Sequence, residues 1–268
     1  MHPFDTATLL EPLSEGHFRG HTSPAYANMV GPFGGVTAAC VLQAALRHPA
    51  RQGDPVALTV NFAAALADGE FELVARPLRT NRSTQHWSIE LSQGGEIAAS
   101  GSAVFALRRE TWSAPEAAPP DDIPPADALV RSPVIGRPAW TRHYDMRFAR
   151  GAMPEVFDAA HQPDSRSQVW MRDEPPRALD FASLAALCDS FFPRIFVRRR
   201  EITPIGTVSL TTYFHADAVM LAAQGARHVL GTARALNFRH GYFDQSAEVW
   251  GDDRQLLASS HQIVYYRA

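Results

Sequence analysis

One carboxylate in this chain stands where a charge is hard to place. Asp189 lies in DFASLAALCDSFFPRI, Asp180 to Ile195, which is apolar or small from Phe181 to Phe192 apart from Ser183, Asp189 and Ser190. An unpaired charge in such surroundings costs several kcal/mol. Two readings are open. The run turns Asp189 toward water or toward an arginine such as Arg194 or Arg198. Alternatively, the apolar setting raises its pKa and makes it a proton acceptor. His215 and His261 read first as structural strand histidines and only second as acid–base groups. Arg79, Arg82 and the cluster Arg194, Arg198, Arg199 and Arg200 carry the charge needed to hold phosphates, although arginines beyond a helix end are commonly a solvated cap region. There is no HExxH, paired Cys/His spacing, GxSxG elbow, GxGxxG or P-loop. No metal and no cofactor is therefore expected, and a serine hydrolase is disfavoured.

The elements that must position these groups follow from pattern. Asp180 is an N-cap residue, and the helix it opens has no wide polar stripe before Pro193 closes or kinks it. GPFGGVTAACVLQAALRHP, Gly31 to Pro49, reads as a second buried helix, with Gly34 and Gly35 allowing close backbone approach at its start. Four antiparallel strands are expected after it, from Pro55–Leu66, Phe71–Arg79, HWSIELSQ and EIAASGSAVFALR, with turns at Asp68-Gly69 and Gly94-Gly95. Residues 110–140 are Pro- and Ala-rich and read as a partly extended linker. Strand patterns then resume at Thr141–Phe148, Ser167–Arg172, Thr207–Ala218 and in the last forty or so residues. Trp87, Trp170 and Trp250 fall in strands and read as core or interface.

The chain has 268 residues, 46% apolar and 20% charged, a globular composition. A net charge of −3 gives no reason to expect nucleic acid. Cys40 and Cys188 lie in apolar runs and read as free buried thiols. With no secretory-type N-terminal segment and no apolar window of membrane length, a cytoplasmic protein without a membrane span is expected.

The two halves overlay. Phe33–Leu42 falls on Phe181–Ser190, Val56–Ala65 on Val208–Asp217, and Glu96–Arg108 on Gln255–Arg267, in one order and at similar spacing. Each half would wrap a sheet round its apolar helix, and the units would pair edge strands. Their differences carry the functional signal. Asp189 falls on Val41, Gln262 on Ala103 and Thr207 on Pro55. Polar groups have gathered in one half, which suits a single site between two units better than packing alone. Thr207 fits least well. Strict alternation puts Val208, Leu210 and Phe214 on one face and Thr207 on the other, away from Asp189 unless the strand bends near Gly206 or the site is shared across units.

These residues also resemble a known family. GPFGG with its apolar helix, LRTNRS at Leu78–Ser83, VWMR at Val169–Arg172, LAALCDSFF at Leu184–Phe192, GTVSLTTYFH at Gly206–His215 and LLASSHQIVYYR at Leu256–Arg267 resemble the double-hotdog acyl-CoA thioesterases of the bacterial thioesterase II type, over nearly the whole chain. The resemblance implies an α+β fold of two tandem hotdog units, each a long buried helix wrapped by an antiparallel sheet. It also implies hydrolysis of an acyl-CoA thioester by a water held by Asp189, Thr207 and Gln262. Asp189 would take the proton, and Thr207 and Gln262 would fill the water's other hydrogen-bonding positions. Backbone N–H groups at Gly34-Gly35 or near Asp180 are candidates for polarising the carbonyl, and Arg79, Arg82 and Arg198 for holding CoA.

The expected division is an N-terminal unit over 1–113, a linker over 114–140 and a C-terminal unit carrying the site over 141–268. Unpaired outer strands make a homo-oligomer the expectation. Two alternatives stay open: a hotdog hydratase or dehydratase using Asp189 with His261, and a non-catalytic acyl-CoA-binding module.

Overall fold

A computed structural model describes residues 1–267. Ala268, the last residue of the expected C-terminal unit, lies outside them. Helix α1 (Pro3–Ala7) and strands β1 (Glu11–Ser14) and β2 (His17–His21) precede the long helix α2 (Gly34–Leu46). Strands β3 (Asp54–Phe62), β4 (Glu70–Thr80), β5 (Thr84–Gln93) and β6 (Glu96–Ala106) complete the first half. The second half holds β7 (Tyr144–Arg150), β8 (Ser167–Asp173), α3 (Phe181–Leu187), α4 (Arg194–Arg199), β9 (Ile205–Phe214), α5 (Ala218–Gln224), β10 (Val229–Arg234), β11 (Phe238–Arg239), β12 (Tyr242–Trp250) and β13 (Leu256–Tyr266).

All strands join one antiparallel sheet in the order β1-β2-β4-β5-β6-β3-β9-β13-β12-β10-β8-β7, with β11 beside β12. The architecture is α+β, with few helices against a large sheet. Period-two alternation places Trp87, Ile89 and Leu91 of β5, and Leu210, Thr212 and Phe214 of β9, on the buried face. Helix α2 is buried along most of its length and packs against β2 to β6 and against α3, as its lack of a polar stripe requires.

The halves meet at β3 and β9. Thr59 pairs with Thr211, and their hydroxyls lie 2.9 Å apart. These two threonines are equivalent in the sequence overlay. Ala57 pairs with Tyr213, and the residues equivalent to them, Ser209 and Asn61, also pair. A register that maps onto itself in this way is what a local twofold between repeated halves produces.

The helix expected from Asp180 through Ile195 is shorter. It ends at Leu187; a turn at 188–189 and irregular chain to 193 follow, and α4 is separate. Three local features stop it. The Ser190 hydroxyl donates to the Leu187 carbonyl at 2.8 Å, a local bond that competes with the helix. Pro193 has no N–H to continue the ladder, and it disfavours helical backbone at Phe192. Asp189 therefore lies in the turn beyond the helix, where its N–H reaches the Ala186 carbonyl at 3.1 Å.

Candidate active site

The turn after α3 aims Asp189 at the start of α2, in the other half of the chain. Helix α2 opens at Phe33, which has no capping side chain. The Asp189 carboxylate lies against this helix start instead, where the Gly35 N–H favours its charged form. A carboxylate at a helix N-terminus meets the positive end of the helix dipole. Glycine makes the approach possible. A Cβ at Gly34 would lie 2.7 Å from Asp189 Oδ2, and one at Gly35 2.6 Å from the Ala186 carbonyl oxygen. Gly34-Gly35 thus seats the carboxylate, and the Gly35 N–H faces it. The sequence had suggested these amides for a substrate carbonyl.

Gln262, on β13, completes the hold. Its Nε2 donates to Asp189 Oδ1 at 2.8 Å. Neither Arg194 nor Arg198 pairs with Asp189. Burial pushes the carboxyl up to about 7, opposed by the Gln262 amide and the Gly35 N–H. The side chain is half-buried because it faces a cavity from inside the protein.

Thr207 also faces this cavity, against the alternation expected for its strand. The cause is a bulge. Ile263 pairs with Ser209 and Val264 with Thr207, so Val208 is an extra residue in β9. A bulge resets which side chains share a face. Val208 is accordingly 39% exposed and Thr207 turns to the side of Gln262. The Thr207 hydroxyl has no hydrogen-bond partner among the described residues.

The cavity holds about 440 Å³ and lies between the halves. Phe191, Phe192, Phe196, Ile205, Phe243 and Val264 give it an apolar wall, while Phe33, Gly34 and Phe62 of the first half face them. Ile195 does not line the cavity and packs with Phe196 and Phe243. The stretch expected to be a linker takes part as well. Trp140 stacks on Phe33 with centroids 4.3 Å apart, and Arg137 stands over the Phe192 ring at 5.6 Å. Arg137 is the one cationic side chain among the described residues lining this cavity. Nothing in the local composition of 114–140 signals this role, which arises from long-range packing.

The other basic and histidine candidates lie elsewhere. Arg79 and Arg82 are exposed near the β4–β5 turn, at the end of the first-half sheet opposite the cavity. Arg198 donates to the Gln162 carbonyl, Arg199 pairs with Glu201, and Arg200 with Asp158. Arg194 is wholly buried and donates to Ser165 O and Ser167 Oγ at 2.8 and 2.7 Å, and to Phe192 O. His261 is exposed and bonds Ser246, and His215 bonds Ser259. Gln245 on β12, which sequence reading passed over, is 3% exposed and lines the cavity opposite Gln262.

A buried carboxylate with raised pKa, an amide and a hydroxyl around one cavity can orient a water and remove its proton. Comparison with known proteins matches that chemistry. A family model described as the acyl-CoA thioesterase C-terminal domain matches residues 114–266, and one described as the acyl-CoA thioesterase N-terminal domain matches residues 23–106. The chain belongs to the acyl-CoA thioesterase family. It is a thioester hydrolase.

Among solved structures, a conserved protein of unknown function with hot dog fold from Alicyclobacillus acidocaldarius is similar to this thioesterase over 100% of this chain and 99% of its own, at 48% identity and a TM-score of 0.94. The TesB protein of Mycobacterium avium subsp. paratuberculosis (18% identity, TM-score 0.79, covering 99% of this chain and 98% of its own) shares the fold. So does an acyl-CoA thioesterase II of Mycobacterium marinum (19% identity, TM-score 0.78, 98% of each chain). No curated protein matches the thioesterase. No helix among the described residues is long and apolar enough to cross a membrane.

Proposed function

We propose that this protein hydrolyses acyl-CoA thioesters with a water held by Asp189, Thr207 and Gln262, on a fold of two tandem hotdog units. The units are 1–113 and 141–268, joined by 114–140. The observation that carries the reading is the Asp189–Gln262 hydrogen bond at the wall of a cavity that Thr207 also faces. The self-complementary β3–β9 register and the buried α2 support the tandem architecture.

In the reaction, Asp189 takes a proton from water as the water oxygen bonds to the thioester carbonyl carbon. The carbonyl π pair moves onto oxygen. When that pair returns, the C–S bond breaks, and the CoA thiolate takes the proton back from Asp189. A carboxylate with a pKa near 7 is suited to both transfers. Thr207 and Gln262 fix the water in line, and holding reactants in register is a large part of such catalysis. The apolar wall takes the acyl chain. The substrate is the partner proposed. Unpaired outer strands β1 and β7 favour a homo-oligomer, and a cytoplasmic setting suits the two free cysteines.

The hydratase alternative loses support because His261 points out of the cavity toward Ser246. No observation favours a non-catalytic binding module over a hydrolase. The test is thiol release from a panel of acyl-CoAs by wild type and Asp189→Asn. A fall of at least about 100-fold with the fold intact supports the assignment. A wild type that binds acyl-CoA without turnover, or a fully active variant, refutes it.

A further inference from the structure

Two buried polar side chains line the cavity outside the water-activating trio, Thr37 and Gln245. Gln245 is 3% exposed, and neither end of its amide has a hydrogen-bond partner among the described residues. The amide is not among the polar groups sealed off without a partner: what little of it is accessible opens on the cavity, where a substrate atom can reach it. The register shows where it points. Gln245 stands directly opposite Gln262 in the β12–β13 ladder, which puts both side chains on one face, a few ångströms apart at Cβ. In the first half the equivalent ladder is β5–β6, where Ala103, the counterpart of Gln262, lies opposite Trp87. Trp87 is 1% exposed and fills its half with carbon. Where one half has Trp87 and Ala103, the other has two glutamines.

We propose that Gln245 is a catalytic residue whose side-chain N–H groups donate to the thioester carbonyl oxygen. This rests on reading the cavity as the thioester hydrolysis site. Hydrolysis there needs a donor for the charge that gathers on that oxygen when water adds. The Gly35 N–H faces Asp189 and lowers its pKa, and the Gln262 amide donates to it. Asn28 is exposed to solvent, and the Thr37 hydroxyl donates to the Phe33 carbonyl. Thr207 is assigned to the water and Arg137 stands over the Phe192 ring, whereas Gln245 is an unengaged amide directly beside Gln262. As the water oxygen bonds to carbon and its proton passes to Asp189, the displaced π pair on the carbonyl oxygen is held by the Gln245 N–H. It returns to the C–O bond as the C–S bond breaks.

The test is steady-state acyl-CoA hydrolysis, with pH profile and melting temperature, on full-length wild type, Gln245→Met and Asp189→Asn. Methionine keeps length and volume and removes the donor. The expected result for Gln245→Met is a kcat about 100- to 1,000-fold lower, with KM within about threefold, the pH midpoint unmoved and the melting temperature at or above wild type. A residue that merely supported the fold would lower the melting temperature, and one that acted through Asp189 would move the pH midpoint. Either outcome overturns the assignment, as does unchanged kcat or a change in KM alone. If Gln245→Met does not fold, Gln245→Asn is read instead, and full activity there overturns the assignment. If wild type is active, Asp189→Asn is inactive and Gln245→Met is unimpaired, only this inference fails. If Asp189→Asn is unimpaired, the proposed function fails first.

Discussion

The carboxylate of Asp189, carried by the second half of the chain, stands so close to Gly34, carried by the first, that a Cβ there would lie 2.7 Å from its Oδ2. The proposed base thus lies at the start of a helix that has no capping side chain of its own. Burial raises its pKa to about 7 while the Gln262 amide and the Gly35 N–H lower it. A base must be deprotonated to act, so kcat/KM is expected to rise with pH to a plateau, with its midpoint near 7. Removing the Gln262 donor in Gln262→Leu should move that midpoint to higher pH and lower activity at neutral pH. A pH–rate profile with a midpoint unmoved, or moved down, would contradict the electrostatic account.

The same shift affects stability. A carboxyl whose folded pKa lies above its unfolded value of about 3.9 holds its proton in the native state where the unfolded chain has lost it. Its contribution is fully present below the unfolded pKa and declines as pH rises toward about 7. Asp173, raised to about 6 by burial, adds a second decline of the same sign. Asp189→Asn should therefore flatten, without abolishing, the loss of melting temperature between pH 4 and pH 7. Thermal melts across that range would detect it, and an unchanged slope would argue against burial of the charge.

Gly34→Ala separates seating from folding. Alanine normally favours a helix over glycine by roughly 0.5–1 kcal/mol, but here its Cβ would stand 2.7 Å from Asp189 Oδ2. The expected outcome is a kcat loss of at least about tenfold, a barrier increase of about 1.4 kcal/mol, in a protein that still folds. Retained kcat would show that the carboxylate tolerates displacement.

Much of this arrangement is legible in the sequence because it is periodic or repeated. Strand alternation located nearly all of the sheet, and the overlay of the halves singled out Asp189, Thr207 and Gln262, which the cavity brings together. What was not legible depends on contacts distant in sequence or on local breaks in a period. The bulge at Val208 reverses the face of Thr207, and no residue type announces it. Ser190 and Pro193 do announce the early end of α3, but the apolar run around them outweighed that signal. Gln245 emerges only when β12 is set against β5 through the ladder register, since their sequences share little. Arg137 and Trp140 sit in a stretch whose composition says only linker.

Arg137 is the cavity's one cation among the described residues, and Glu155 is the acidic group that acts on it. Arg137→Gln is expected to raise KM for acyl-CoA several-fold and leave kcat nearly unchanged, since an anionic group of the substrate would meet it before the reacting atoms. Initial-rate kinetics decide this, and a kcat effect without a KM effect would refute it.

Arg194 is a structural counterpart. Its guanidinium, buried and with its pKa pulled down to about 9, ties Phe192 O, Ser165 O and Ser167 Oγ together. Arg194→Met leaves those acceptors without donors, each at roughly 1–3 kcal/mol. We expect a stability loss above about 2 kcal/mol by denaturant titration, together with a raised KM from a loosened Phe191–Phe192 wall.

Seating across the halves makes the proton affinity of Asp189 a gauge of their docking. If β3 and β9 part, water reaches the carboxylate, the apolar wall withdraws, and the group reverts toward an ordinary surface acid too weakly basic to act. On the proposed mechanism, chemistry is then switched off by separation alone. A hydrolase built this way is inert while half-made and competent only once both halves have met.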